Sequence, residues 1–348
     1  MLKIKLIEVE KHRNETTFRK YIQLNNLFNE VGINFTDHGN DYDMVWIAQA
    51  SFMDKSKPYD ESVKNGIKFV EKFKGQDIIL IDGQDSATLM GSWDVFKETD
   101  AKLLLKNTMY KNVQNYSKRT PNGRIYWNHS LKDGYSISSN NFVNPKFHDI
   151  KLSGTNWLST VTPQWYDYSK YKKDIDVFAM FQYPASPNSE WEINTAQYYT
   201  EHRRKCIEQL HKITDKVKIV TAENGKVPID QYYNLMSRSK IVVAPFGYGE
   251  IAPRDIESAM LGCVLIKSDM EHIQTLPNIY SDSKNFMNCK WDFSDLNFVI
   301  DMLLPNFHHH QQYFVENLKR AFNIEYNDEK LVEYIHGLFE RLDGYGYC

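Results

Sequence analysis

Two Rossmann-like α/β halves are what the sequence predicts, on three observations. Short apolar runs of the kind that fill strands buried on both faces alternate with amphipathic stretches at helical spacing. The alternation stops in a stretch rich in Asn, Ser, Gly and Pro from Lys118 to Tyr168, then restarts at Asp176. With 348 residues, 42% hydrophobic and 25% charged, the chain is long enough to bury two cores of ordinary size. The boundary is expected near residue 170, giving domains over 1–169 and 170–348.

In order along the chain, Ile4 to Ile7 reads as a strand and Phe18 to Val31 as a helix with Tyr21, Leu24, Leu27 and Phe28 on one side. Ile33 to Phe35 and Met44 to Ile47 follow as strands, then a helix over Glu61 to Phe73. Asp77 to Ile81 is the clearest buried strand of the first half; a helix near Asp94 and a strand over Ala101 to Leu105 complete it. The second half opens on the strand Asp176 to Phe181, followed by a helix over Thr195 to Ile213, the strand Val217 to Thr221 and a helix over Ile229 to Arg238. Three helices, over Asp292–Leu304, His308–Phe322 and Leu331–Leu342, close the chain.

Lys240 to Asp269 says most about chemistry. Ile241 to Ala244 is an apolar run stopped by Pro245, Gly247 to Glu250 is a glycine-marked loop containing Tyr248 and Gly249, Pro253 suits the first turn of a helix, and Gly262 ends that helix before the strand Cys263 to Ile266. Ala252 has no side-chain acceptor to cap the helix, so the first-turn N–H groups and the positive dipole end are expected to face an anion such as phosphate. Arg254 and Glu257, three apart, share a face. A guanidinium suits a diphosphate and a carboxylate can accept both hydroxyls of a ribose. The plain alternative is a surface ion pair worth a few tenths of a kcal/mol.

The run Gly249-Glu250-(x3)-Arg254-Asp255-Ile256-Glu257-Ser258-Ala259-Met260-(x)-Gly262-Cys263-Val264-Leu265-Ile266 resembles the donor-binding helix of GT-B glycosyltransferases, in particular their exostosin-like and group-1-like branches. The resemblance covers this unit and is architectural elsewhere. It implies that Glu257 holds a nucleotide ribose and Arg254 the diphosphate of a sugar nucleotide, that the first domain is the acceptor side and the second the nucleotide-sugar side, and that the terminal helices cross back onto the first domain. Retaining members often carry two glutamates separated by seven residues, whereas six separate Glu250 from Glu257 here, which points to inversion.

Inversion needs a general base facing the donor from the first domain. Asp82 and Asp85, just past the strongest strand, are the candidates; each could instead serve only to form the turn and cap the next helix. His38 and His12 at other strand ends are weaker choices. On the nucleotide side, Arg203 and Arg204 could reach phosphates or simply face solvent, while Thr221 with Glu223 and Asn224, the Phe181-Gln182-Tyr183 turn, Tyr232 and Ser237 could line the base pocket or only pack.

No P-loop is present and no Gly-x-Gly-x-x-Gly opens a helix near the first strand, so ATPase and ordinary dehydrogenase readings fall. Asp41-Tyr42-Asp43 precedes a strand rather than following one, and the adjacent His308, His309 and His310 point in different directions on a helix, so no metal and no cofactor beyond the donor is expected. A net charge of −3 gives no general attraction to nucleic acid or an anionic bilayer, and no window is apolar enough for a span. Four widely spaced cysteines and the lack of a signal-like start lead to an expected cytoplasmic location. A glycan or other hydroxyl acceptor is the expected partner, with a sugar-nucleotide epimerase of the same fold and a non-catalytic glycan- or partner-binding module as alternatives.

Overall fold

In the computed structural model, which describes residues 1–8, 17–83, 86–89, 91–117, 148–154, 164–183, 196–221, 227–276, 278–280 and 284–343, strands and helices alternate through both halves. The first half runs β1 (Leu2–Ile7), α1 (Arg19–Gln23), α2 (Asn25–Glu30), β2 (Ile33–Thr36), β3 (Met44–Ala48), α3 (Gln49–Phe52), α4 (Tyr59–Val70), β4 (Asp77–Asp82), α5 (Ser92–Phe96), β5 (Leu103–Lys106), β6 (Thr108–Tyr110) and β7 (Ile150–Leu152). Its main sheet has the order β2-β1-β3-β4-β5-β7, and its pairings are parallel. The second half runs β8 (Ile175–Ala179), α6 (Ala196–His211), β9 (Ile219–Thr221), α7 (Ile229–Ser237), β10 (Ser239–Ala244), α8 (Arg254–Met260), β11 (Val264–Ser268), β12 (Ile273–Thr275), β13 (Met287–Cys289), α9 (Leu296–Leu303), α10 (Phe307–Ala321) and α11 (Ile324–Asp343). The second parallel sheet has the order β13-β11-β10-β8-β9. The fold is thus α/β with two Rossmann-like sheets and a helical C-terminal region.

Alternation along each strand gives each sheet two apolar faces. In the first sheet Ile4, Leu6, Phe35, Trp46, Ile79, Ile81, Leu103 and Leu105 face one way and pack on Tyr21 and Phe28 of α1 and α2. Leu331, Val332, Ile335, Leu338 and Phe339 of α11 join the same cluster, so the last helix crosses back to finish the first half's core. Lys20 pairs with Asp328 at 2.5 Å, and Tyr334 donates its hydroxyl to the Leu152 carbonyl at 3.0 Å. In the second sheet Val177, Ala179, Ile241, Val243, Val264 and Ile266 pack on α6, α9 and α10. The remaining faces of both sheets belong to one continuous cluster running from Val45, Ile78 and Leu80 through Tyr110 and Ile273 to Phe178, Val242 and Leu265.

The halves are also joined by backbone. β6 and β12 form an antiparallel ribbon, Thr108 opposite Thr275 and Tyr110 opposite Ile273. These strands and β7 and β13 are three residues each, too short to show a period in sequence. The predicted helix over Phe18 to Val31 is two helices meeting at Leu24. Asn25 accounts for the joint: its amide accepts the Phe35 N–H at 2.8 Å and donates to the Phe35 carbonyl at 3.2 Å, which ties the start of α2 to β2. Much of the loop-rich stretch from Lys118 to Tyr168, with His12, Asp85, Glu223 and Asn224, lies outside the described residues.

Candidate functional site

In open parallel sheets a ligand sits beyond the carboxyl ends of the strands, where the strand order reverses. In the second sheet that point lies between β8 and β10, because β9 is added on one side of β8 and β10 on the other. The turns that follow those two strands carry Phe181 and Gln182, and Phe246 to Glu250. Arg203 of α6 staples them together: its Nη1 donates to the Gln182 carbonyl at 2.7 Å and its Nε to the Phe246 carbonyl at 3.3 Å. A Cβ on Gly247 would lie 2.7 Å from Arg203 Nη2, so the glycine is what lets backbone and guanidinium approach. Gly249 closes the turn by accepting the Gly247 N–H at 3.1 Å, and the Tyr248 ring stands perpendicular to Tyr199 at 6.5 Å.

Arg254 opens α8 and comes to the same place. The Phe181 ring lies 5.9 Å from the guanidinium carbon of both Arg203 and Arg254. The Arg254 Nε is buried and has no hydrogen-bond partner, an expense a protein seldom carries without a ligand to relieve it. One turn on, Glu257 receives two phenols from α7, Tyr232 on Oε2 at 3.1 Å and Tyr233 on Oε1 at 2.9 Å. Thr221 ends β9 at the same carboxyl edge, half-buried.

Pro253 caps α8 with no side-chain hydrogen bond, yet the first turn is not entirely open. Asp255, buried, accepts the Ala252 N–H at 3.1 Å and the Tyr280 hydroxyl at 2.7 Å, and pairs with Lys267 at 2.8 Å. Burial lowers the Lys267 pKa, and Asp255 opposes that shift. Lys267 sits inside the apolar strand β11, so the pair fixes α8 against its sheet.

The loops after β4 and β5 meet those after β10 and β11. Glu250 is fully buried, and its Oε2 accepts the Ala87 N–H from the first half at 3.3 Å. His272 Nε2 is 3.9 Å from Glu250 Oε1, and its ring is 6.1 Å from that of Tyr110. Asp82 ends β4 fully buried, opposite Lys106 in register and paired with it at 2.7 Å. A carboxylate so committed compensates a buried lysine, and Asp82, expected as a candidate base, is held in the core with it. Glu8, at the reversal point of the first sheet beside β1 and β3, accepts the Thr17 N–H at 3.2 Å. Beyond β11 and β13 lies a depression of about 650 Å³ lined by Asp269, Glu271, Asn288, Lys290, Trp291 and Asp292.

The structure therefore brings Arg203, Arg254, Glu257, Tyr232, Gly249 and Tyr248 to one carboxyl edge with Thr221, and sets Glu250 at the contact between halves. Sequence reasoning passed over Tyr233, Lys106 and Lys267. A signal existed for two of them, a tyrosine doublet on an amphipathic helix and a lysine inside an apolar strand.

No protein-family model matches the sequence, and no curated protein sequence is detectably similar to it. In fold the chain is similar to a sucrose-phosphate synthase from Thermosynechococcus elongatus, at 11% identity over 98% of this chain and 100% of that one with a TM-score of 0.49. It is similar to a trehalose-6-phosphate synthase studied with bisubstrate glycomimetics, at 11% identity over 92% and 78% of the two chains with a TM-score of 0.46. An alpha-glucosyltransferase in complex with UDP-glucose and DNA containing an abasic site is similar at 10% identity over 96% and 98%, with a TM-score of 0.41. These solved proteins are glycosyltransferases of the GT-B arrangement, and likeness of this extent concerns the course of the chain rather than its chemistry.

Proposed function

We propose that the protein transfers a glycosyl group from a nucleoside-diphosphate sugar to a hydroxyl of a glycan or other acceptor. The observation that carries this reading is the convergence of two guanidiniums and a carboxylate at the reversal point of the second sheet, with the buried Arg254 Nε unpartnered. Arg254 and the charge of Arg203 would meet the diphosphate, and Glu257 the ribose hydroxyls. The acceptor oxygen gives its proton to a base and bonds to the anomeric carbon as that carbon's bond to the phosphate oxygen breaks, and the leaving diphosphate gathers negative charge. Guanidinium charge held at that oxygen is worth most when the electrons arrive there, which supports a reaction that needs no metal.

Asp85 is the base in this proposal. It follows Asp82 by three residues, and Asp82 is spent on Lys106. Inversion goes with this assignment because Glu250 is enclosed and bonded to Ala87. The reaction is placed in the cytoplasm, where the buried free thiols Cys206, Cys263 and Cys289 stay reduced.

A thermal-shift panel of nucleoside diphosphates and their sugars, run with a chelator, tests the reading directly. A ligand at 100 times its dissociation constant adds about 2.7 kcal/mol to stability. No shift with any of them refutes it. With a donor found, Asp85→Asn is expected to lower turnover by ~10²-fold while binding persists. The proton coupling at the new anomeric centre, read in the first minutes, reports inversion or retention; isomerised donor in place of a transfer product would indicate an epimerase.

A further inference from the structure

Glu257 is already occupied by two hydroxyls. Tyr232 and Tyr233 are neighbours on α7, yet both reach the same carboxylate, one on each oxygen, at 3.1 and 2.9 Å. Two hydroxyls shared between the two oxygens of one carboxylate is the pattern a ribose diol would present.

The two phenols are held differently. The Tyr232 ring stands edge-on against the buried Phe178 ring at 5.1 Å, and its hydroxyl also lies beside Arg254. Tyr233 is 38% exposed and is steadied mainly by the edge of Tyr232 at 5.4 Å. Burial raises the pKa of both phenols, Tyr233 to about 12, with Glu257 adding to the shift, so both remain proton donors at neutral pH. A carboxylate oxygen has lone pairs for two donors, but the second must approach from an open direction, and on the Oε1 side that direction is filled by Tyr233. Removing Tyr232 from Glu257 would disturb the core; removing Tyr233 requires only that an exposed ring turn outward, a fast side-chain motion.

We propose that Tyr233 is a built-in competitor in the nucleotide site: its hydroxyl stands where a ribose hydroxyl would bind Glu257, and only a ligand that brings the diol displaces it. This rests on the reading of Glu257 given above. A nucleotide without ribose hydroxyls leaves Tyr233 in place and gains nothing from the carboxylate. A nucleotide with them exchanges one hydroxyl for another and gains the difference. The site is thereby satisfied when empty, since a carboxylate stripped of its donors would be left unpaired, and Tyr233 holds down the affinity for ribose by what its own bond to Glu257 contributes.

The test is calorimetric, on the full chain, with UDP, ADP and GDP, and with the 2′,3′-dideoxy form of whichever binds best. Tyr233→Phe removes the competing hydroxyl and keeps the ring. It is expected to bind the ribonucleotide about tenfold more tightly, a change of ~1.4 kcal/mol, and to bind the dideoxy form unchanged. Tyr232→Phe is expected to give no such gain. The proposal is overturned if Tyr233→Phe leaves ribonucleotide affinity unchanged or weakens it, or alters both ligands equally, as a merely structural role would. Glu257→Gln separates this failure from that of the parent reading. If it abolishes discrimination between ribo and dideoxy ligands while Tyr233→Phe is neutral, only the role of Tyr233 falls. If discrimination survives in Glu257→Gln, or no nucleotide binds the wild type, the ribose role of Glu257 falls and this proposal with it.

Discussion

At the scale of single residues, buried charge is spent chiefly on holding the site's walls. Asp82 with Lys106 and Asp255 with Lys267 are both fully desolvated pairs, the first tying a strand end to its neighbour and the second tying α8 to β11. Such a pair adds little net stability, but removing one partner strands the other. Asp82→Ala is therefore expected to destabilise by ~3–5 kcal/mol in urea denaturation, and a loss under 1 kcal/mol would mean that Lys106 finds another partner. His202 makes a second prediction. Burial, then the charges of Arg203, Lys205 and Lys267, hold it neutral, with its pKa down to about 3 from 6.5. As pH falls from 6.5 towards 3 the unfolded chain takes up a proton that the folded chain refuses, so the stability this residue contributes is full above pH 6.5 and is lost through that window. His202→Phe should keep the stack on Phe246, which is 5.1 Å away, and flatten the fall in melting temperature between pH 7 and 4.5; an unchanged slope would reject it. Arg254 and Glu257 were legible because helical spacing alone puts them on one face. The partners of Asp82 and Asp255 were not, since strand register chose Lys106 and the packing of α8 on β11 chose Lys267.

Among the elements, α8 shows how local rules fix a functional helix. It ends in paired C-terminal bonds, Gly262 N–H to the Ala259 carbonyl at 3.1 Å and Cys263 N–H to the Ser258 carbonyl at 2.7 Å. Gly262 has φ +67°, and a Cβ there would come within 2.3 Å of the Tyr168 ring. Its carbonyl accepts Gln311 Nε2 of α10 at 2.7 Å, so the same residue orients the following helix layer. Gly262→Ala should cost at least ~1–2 kcal/mol from the left-handed backbone alone, and more because Tyr168 must move; a midpoint shift in denaturant measures it, and no shift would show that the turn relaxes freely. The strands of both sheets' interiors could be read from sequence because each is an apolar run stopped by a turn residue. The short strands β6, β7, β12 and β13 could not, and neither could the joint at Leu24, because it depends on Asn25 reaching a strand nine or ten residues away in sequence.

For the molecule as a whole, the ribbon of β6 with β12, the Glu250 bond to Ala87 and the shared apolar cluster make the two halves one body in this structure. Calorimetry is expected to show one cooperative unfolding transition, with calorimetric and van't Hoff enthalpies equal; two resolved transitions would show that each half stands alone. The two-half plan was legible from the interrupted alternation, whereas the extent of fusion was not, because it is built from β6 and β12, which are far apart in the chain. The returning helix α11 bears on how the protein is made. A ribosome delivers the first sheet long before the residues that cover one of its faces, and Trp46 must wait for Phe339, whose ring ends 6.0 Å away. Until the chain has been made past that point, Ile79, Leu103 and their neighbours keep a partly uncovered apolar surface, so the nascent protein depends on holding that surface away from other chains. A chain stopped after Phe322 is accordingly expected to bind a dye specific for exposed apolar surface and to precipitate, and a soluble, dye-silent product would show that the first half completes itself without its last helix.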